Sequence, residues 1–190
     1  MRHKGVDKET TRRKVTEAAG RKFRKHGYAG VGIDALAKAA GVTSGAIYGH
    51  FGSKVKAFES ALEAGLDEVL DALPEFQAKG DGWLEDFCEY YLGEAHQADL
   101  ECGCAMASLT PEVIKFDSPQ KHLYESKMQC IADQIAQGMT GKDTLGRAWS
   151  FLASLIGALN VLRACDSPAL KKSLAKQFKA QILKMAKGES

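Results

Sequence analysis

Side chains able to do chemistry are scattered through this 190-residue chain, and few sit at a spacing that lets them act together. The five cysteines are Cys88, Cys102, Cys104, Cys130 and Cys165. An odd number, behind an N-terminus (Met1 to Asp7) without an apolar stretch, argues against a disulfide framework. Cys102-Gly103-Cys104 lacks C-x-x-C spacing and no second close pair exists, so no structural zinc site is expected. The two thiols precede a short helix, whose N–H groups would acidify them, while Glu101 opposes that effect. Reactive sensor thiols and inert buried thiols both fit. His96 and His122 could join a cysteine at a metal but read more simply as surface or core side chains. No Ser/His/Asp order, no paired carboxylates in an apolar setting and no phosphate-cradling glycine loop is visible. No catalytic residue, cofactor or enzyme activity is therefore expected; a helical carrier or enzyme is the competing class.

Charge is more informative. Residues 1–56 hold 13 Lys/Arg and 4 Asp/Glu, residues 57–135 hold 4 and 17, and residues 136–190 hold 9 and 3. The overall +2 therefore hides a first third that suits a polyanion and a middle that it would repel. No uninterrupted apolar run approaches the ~20 residues of a membrane span. The cytoplasm is the expected compartment.

Nearly every segment has helical spacing, and the expected fold class is all-α. Val15, Ala18, Ala19 and Phe23 form one stripe, stopped at Gly27 with Tyr28 packing back. Ile33, Leu36, Ala37 and Ala40 form a short second helix ended by Gly41. Thr43 is placed to cap a third, with Ile47 and Phe51 on its inner face. Ser53 caps a long helix marked by Val55, Phe58, Leu62, Leu66, Val69 and Leu73 and running to Pro74. Residues 75–82 read as a connector, and 99–111 as less regular. Further helices are expected through Leu84–Tyr91, from Ser118-Pro119, through Leu145–Arg163, and from Ser167-Pro168. Domain boundaries are expected at 1–53 and 54–190.

Three short helices within 11–51, the last two joined by Ala40-Gly41-Val42-Thr43, make a helix-turn-helix pattern. Such a pair can lay its second helix in a major groove about 12 Å wide. Here the chain resembles the TetR family of bacterial transcriptional regulators. The resemblance rests on Ala18-Ala19, Phe23, Gly27-Tyr28, Ile33, Leu36-Ala37, Ala40-Gly41-Val42-Thr43, Gly45-Ala46-Ile47-Tyr48-Gly49-His50-Phe51 and Ser53-Lys54. Across residues 104–113 a segment is also similar to some members.

The resemblance implies an N-terminal three-helix DNA-binding domain and a C-terminal bundle for ligand binding and dimerisation. It implies that Ser44, Gly45, Ala46 and Gly49 face the groove, that Tyr48, His50 and Lys54 hold phosphates, and that Thr43 caps the helix and is a further candidate for a phosphate contact. The expected function is a ligand-responsive regulator, a repressor released from double-stranded operator DNA by a small apolar or aromatic effector. The alternative is a thiol-based electrophile or redox sensor using Cys102 or Cys104. Val31 and Gly32 depart from the usual hydroxyl residues before the second helix. Lys56 stands where an acid would complete a capping box on Ser53. With only Ser44 and Ala46 able to read base edges, Arg12, Arg13 and DNA shape are candidate sources of specificity. Plain solvation of both arginines is equally compatible.

A homodimer is expected, because one such head reads few base pairs. Leu152, Leu155, Ile156 and Leu159 on one helix, and Leu174, Phe178 and Ile182 on the next, are the candidate interface; the same stripes would also suit the chain's own core. Trp83, Phe87, Tyr90, Tyr91, Met106, Tyr124, Met128 and Trp149, with Phe116, are the candidate effector lining or plain core.

Overall fold

Periodic apolar positions with few helix breakers fold into ten helices across residues 3–189, the part of the chain that the computed structural model describes. Met1, Arg2 and Ser190 lie outside it. In order they are α1 (His3–His26), α2 (Ile33–Ala40), α3 (Ser44–Phe51), α4 (Lys54–Gln77), α5 (Trp83–Tyr91), α6 (Glu94–Ala98), α7 (Ala105–Val113), α8 (Ser118–Gln137), α9 (Thr144–Ala164) and α10 (Pro168–Lys187). The described residues contain no strand.

The helices group into two compact units. The first takes the chain up to Leu66 together with Leu100–Tyr124; the second takes Asp67–Asp99 together with the chain from Glu125. Helices α4 and α8 contribute residues to both.

In the first unit, Val15, Ala18, Ala19 and Phe23 of α1 are buried with Leu36, Ala37, Ile47, Phe51 and Phe58. Gly27 and Gly41 take φ +69° and +68°, left-handed values that let the chain turn sharply after α1 and α2. An aromatic cluster backs this turn. Tyr28 lies 4.7 Å from Phe116 and 5.5 Å from Phe58, and Phe58 stacks on Phe116 at 4.8 Å between centroids. Residues 100–124 are bound to α1 by polar contacts as well. The Glu101 carboxylate accepts from Lys22 and Lys25 at 3.1 and 3.2 Å, and its carbonyl accepts from Arg24 Nε at 2.8 Å. Glu112 Oε2 accepts the Tyr28 backbone N–H at 3.1 Å.

In the second unit, α9 is the core helix. Ala148, Phe151, Leu152, Leu155, Ala158, Leu159 and Leu162 are buried on one face, and α10, α5 and α6 pack against it. By length and composition α9 is apolar enough to cross a membrane, although its apolar residues are interrupted in sequence. Arg163 near its end donates to the His96 carbonyl from Nε and Nη2 at 2.9 and 2.8 Å.

Several elements differ from the sequence expectation: α1 is a 24-residue helix from His3 rather than a short one within 11–51, and α6 has no counterpart in it. Helix α4 continues past Pro74 to Gln77, because a proline in the last turn forfeits one N–H while its carbonyl still accepts from Ala78. Similarly, α7 contains Pro111 and is regular over Ala105–Val113.

Candidate nucleic-acid interface

Helix α3 is only eight residues long, too short to persist alone, and three features hold it. Ile47 and Phe51 are buried beneath it. Thr43 Oγ1 accepts the Ala46 N–H at 3.2 Å, the expected cap. Arg12 donates from Nη1 to the His50 carbonyl at 3.4 Å, with its guanidinium 5.2 Å from the Phe51 ring centre. Arg12 therefore supports the end of α3, a role that the sequence reading did not assign. Arg13 is largely exposed, with Glu17 at 3.7 Å.

The opposite face of α3 is open. Tyr48 is 55% exposed. A Cβ on Gly49 would meet nothing within 4 Å, and one on Gly45 only Thr43 Oγ1 at 3.8 Å. Gly45, Gly49 and Thr43 are exposed, while Ala46 and His50 are half-buried. Backbone without side chains can approach a large flat or grooved partner closely. Ser44 is half-buried and donates to Asp34 Oδ1, so its hydroxyl is already engaged.

Lys54 begins α4, its ammonium 4.1 Å from the Tyr28 ring centre. That cation–π contact holds the charge at a fixed place near α3. Neither α3 nor α4 has an acid in its first turn, and α4 starts with Lys54 and carries Lys56. Cations there oppose the helix dipole, a cost of ~0.3–1 kcal/mol that an external anion would offset. Ser53 Oγ accepts the Lys56 N–H at 3.1 Å, so half of a capping box survives without the acid. Lys56 instead pairs with Glu59, which also accepts from Gln120 at 2.7 Å.

The eight candidate effector residues do not share one compact unit. Met106 and Tyr124 are in the first, where Met106 is fully buried and the Tyr124 hydroxyl lies 2.8 Å from Thr110 Oγ1. Burial raises the Tyr124 pKa above the ordinary tyrosine value. The other six are in the second unit. Phe87, Tyr91 and Met128 are buried core, with Phe87 against Phe76 and Phe151. Trp83 is buried and donates from Nε1 to the Gly138 carbonyl at 3.0 Å. Tyr90 and Trp149 are exposed. A cleft of about 390 Å3 takes Trp83 alone of the eight, and one of about 790 Å3 beside α10 takes none.

The candidate interface residues also divide. Leu152, Leu155, Leu159 and Ile182 are buried within the chain, where the own-core alternative puts them. The most apolar stripe of an amphipathic helix folds inward first. Ile156, Leu174 and Phe178 are half-buried. The outward apolar residues on these helices are Leu145, Trp149, Val161 and Leu170, at 36–48% exposure.

Cys102 is exposed, Cys104 and Cys88 are buried, and no disulfide joins any of the five. No group of three metal-ligating side chains occurs among the described residues.

Comparison with known proteins matches residues 15–61 to the family described as bacterial regulatory proteins, tetR family. The transcriptional repressor SCO4008 of Streptomyces coelicolor is 28% identical over 133 residues, 70% of this chain and 69% of that one. The repressor AcnR of Corynebacterium efficiens is 36% identical over 86 residues, a stretch covering less than half of that protein. Among solved structures, reduced Escherichia coli NemR superposes with a TM-score of 0.78 at 18% identity, covering 93% of this chain and 97% of NemR. A TetR regulator from Chloroflexus aurantiacus gives 0.77 at 19%, covering 94% and 96%. At these identities the structures establish a shared fold.

Proposed function

The chain belongs to the TetR family of bacterial transcriptional regulators, and on that premise we propose that it is a repressor acting as a homodimer on operator DNA in the cytoplasm. Residues 1–53 are the proposed reading head, and 54–190 the proposed effector and dimer region. The observation that carries the reading is the open face of α3: Tyr48 stands out from it, Gly45 and Gly49 leave the backbone bare, and Lys54 is held beside it. In a major groove that face brings Ala46 and the glycines against base edges, while Tyr48, His50 and Lys54 reach phosphates. Thr43 and Arg12 keep the helix formed. The dimer surface we propose is the outward flank of α9 and α10, with Leu145, Trp149, Ile156, Leu170, Leu174 and Phe178. A small apolar or aromatic effector is the proposed release signal, with α4, which has residues in both units, as the connection to the head.

Footprinting on the DNA upstream of its own gene tests the reading. The expected result is a protected near-palindrome, lost when Tyr48, His50 and Lys54 are replaced by alanine in a folded protein. Equal affinity for that region and random DNA would overturn it.

One observation favours a second release signal. Exposed Cys102 directly follows Glu101, which receives Lys22, Lys25 and Arg24 of α1. A group added to that sulfur would crowd these contacts. Loss of operator binding after alkylation in the wild type, but not in Cys102→Ser, is the expected signature; equal loss in both would exclude it.

A further inference from the structure

The second unit contains a cleft that none of the preceding roles uses. It has a volume of about 790 Å3 and lies among α5, α6 and the first half of α10. Its floor is apolar: Cys88 and Leu92 are buried there, flanked by Ala98, Ala175 and Pro168. Burial first of all pushes the Cys88 thiol up to about 12, so the floor is uncharged at ordinary pH. The α10 wall is cationic, with Lys171, Lys172, Lys176 and Lys179. Lys179 is paired with Glu89. Lys171, Lys172 and Lys176 make no ion pair among the described residues, although Glu94 lines the same cleft. Three uncompensated cations therefore face one uncompensated carboxylate.

The cleft lies apart from the proposed dimer surface. Along α10, Ala175, Ile182 and Ala186 mark the inward line, at the helical spacing of 100° per residue. Lys172, Lys176 and Lys179 fall on one flank of that line; Leu170, Leu174, Phe178 and Met185 fall on the other, with Lys171 between them and the line at the edge of the cleft. A second copy seated on the apolar flank leaves the lysine flank open. Pro168 and Lys179, both lining the cleft, are separated by about 16 Å along the helix. An apolar floor beside a cationic wall, in a cleft of that length, suits a ligand with the same division.

We propose that this cleft binds a linear amphiphile, its hydrocarbon chain on the Leu92–Ala175 floor and its anionic head at Lys171, Lys172 and Lys176. A volume within the ~300–1,000 Å3 of small-molecule sites accommodates such a chain. A charge-assisted contact to lysine supplies the preference for an anionic head. The proposal stands apart from the operator reading, since binding is measured without DNA.

Equilibrium dialysis and titration calorimetry on the full-length protein, with decanoate as probe and decanol and acetate as controls, test it. Decanoate should bind with a dissociation constant below about 1 mM, with decanol and acetate each weaker by about tenfold or more. Changing Lys171, Lys172 and Lys176 together to Gln should cost decanoate about tenfold while leaving decanol unchanged. Ala98→Trp, which fills the cleft from an exposed position, should abolish binding and leave the dimer and its helix content intact. No decanoate binding to the folded wild type at about 1 mM would overturn the proposal. Equal binding of acetate, or undiminished decanoate binding in folded Ala98→Trp, would overturn it too.

Discussion

Lys54 and Tyr48 are proposed to touch the same kind of group, a phosphate, by different physics, and salt separates them. An ammonium on a phosphate displaces a condensed counterion; a neutral hydroxyl does not. The logarithm of operator affinity falls with the logarithm of salt by about 0.9 per neutralised phosphate. One Lys54 in each of two heads gives about 1.8 of that slope. Lys54→Gln should therefore make the slope shallower by about 1.8. Between roughly 50 and 200 mM salt the variant should lose about tenfold less affinity than the wild type. Lys54→Arg should retain the wild-type slope.

Tyr48→Phe should behave differently. Its hydroxyl makes no hydrogen bond within the described chain, and its ring is 55% exposed, so the fold should not notice the change. One hydrogen bond lost per head, at about 1 kcal/mol each, weakens binding roughly thirtyfold across all salt concentrations. The assay is fluorescence anisotropy with a labelled operator over a salt series, with circular dichroism as the folding control. Lys54→Gln also removes the cation–π contact to Tyr28, about 0.5–1 kcal/mol at an exposed site, so its melting temperature must be measured. An unchanged slope in Lys54→Gln, with the protein folded, would show that the ammonium is not on a phosphate and would refute the proposed docking of α3.

Other consequences can be measured independently. Gly65→Ala places a Cβ 2.6 Å from that of Ala105, and both belong to helices, so overpacking should cost about 1–3 kcal/mol in urea unfolding; a neutral effect would mean that α4 and α7 are not this close. Timed alkylation with mass readout should label exposed Cys102 and Cys130 first and Cys88 last, because burial holds the Cys88 thiol neutral. Burial chiefly, with Arg163 adding to it, holds the His96 pKa below its ordinary 6.5. The unfolded chain thus takes up the proton first, so this contribution to stability is present above pH 6.5 and is lost as pH falls through the lower folded value. His96→Gln should flatten the stability profile in that acid window. Ile156→Glu, on the half-buried outward side of α9, should give monomers by analytical ultracentrifugation without loss of helix; intact dimers would move the proposed interface elsewhere.

What the sequence made legible follows from where local physics suffices. Gly27, Gly41, Thr43 and Ser53 are caps and stops whose chemistry is complete within four residues, and each sits where expected. The aromatic and sulfur set was less legible, because helical spacing reports that a residue is inward but not what it faces. Met106 and Tyr124 have the same apolar character as Phe87 and Met128, yet they belong to the other compact unit. In that grouping residues 100–124 join α1 through Glu101 and the turn after it through Glu112, contacts 76 to 84 residues apart that no periodicity encodes.

The same limit bears on the proposed interface. Leu152, Leu155 and Leu159 are the strongest stripe on α9, and for that reason the monomer buries them first. A dimer surface must remain tolerable in water before the partner arrives, so the proposed one is drawn from what is left: half-exposed apolar side chains such as Trp149 and Leu170, set among small or polar neighbours. Sequence hydrophobicity therefore ranks the interior above the interface. On a helix that serves both, the partner-facing side chains should be sought on the second-best stripe, and Ile156, beside the buried Leu155, is where that rule can be tested most directly.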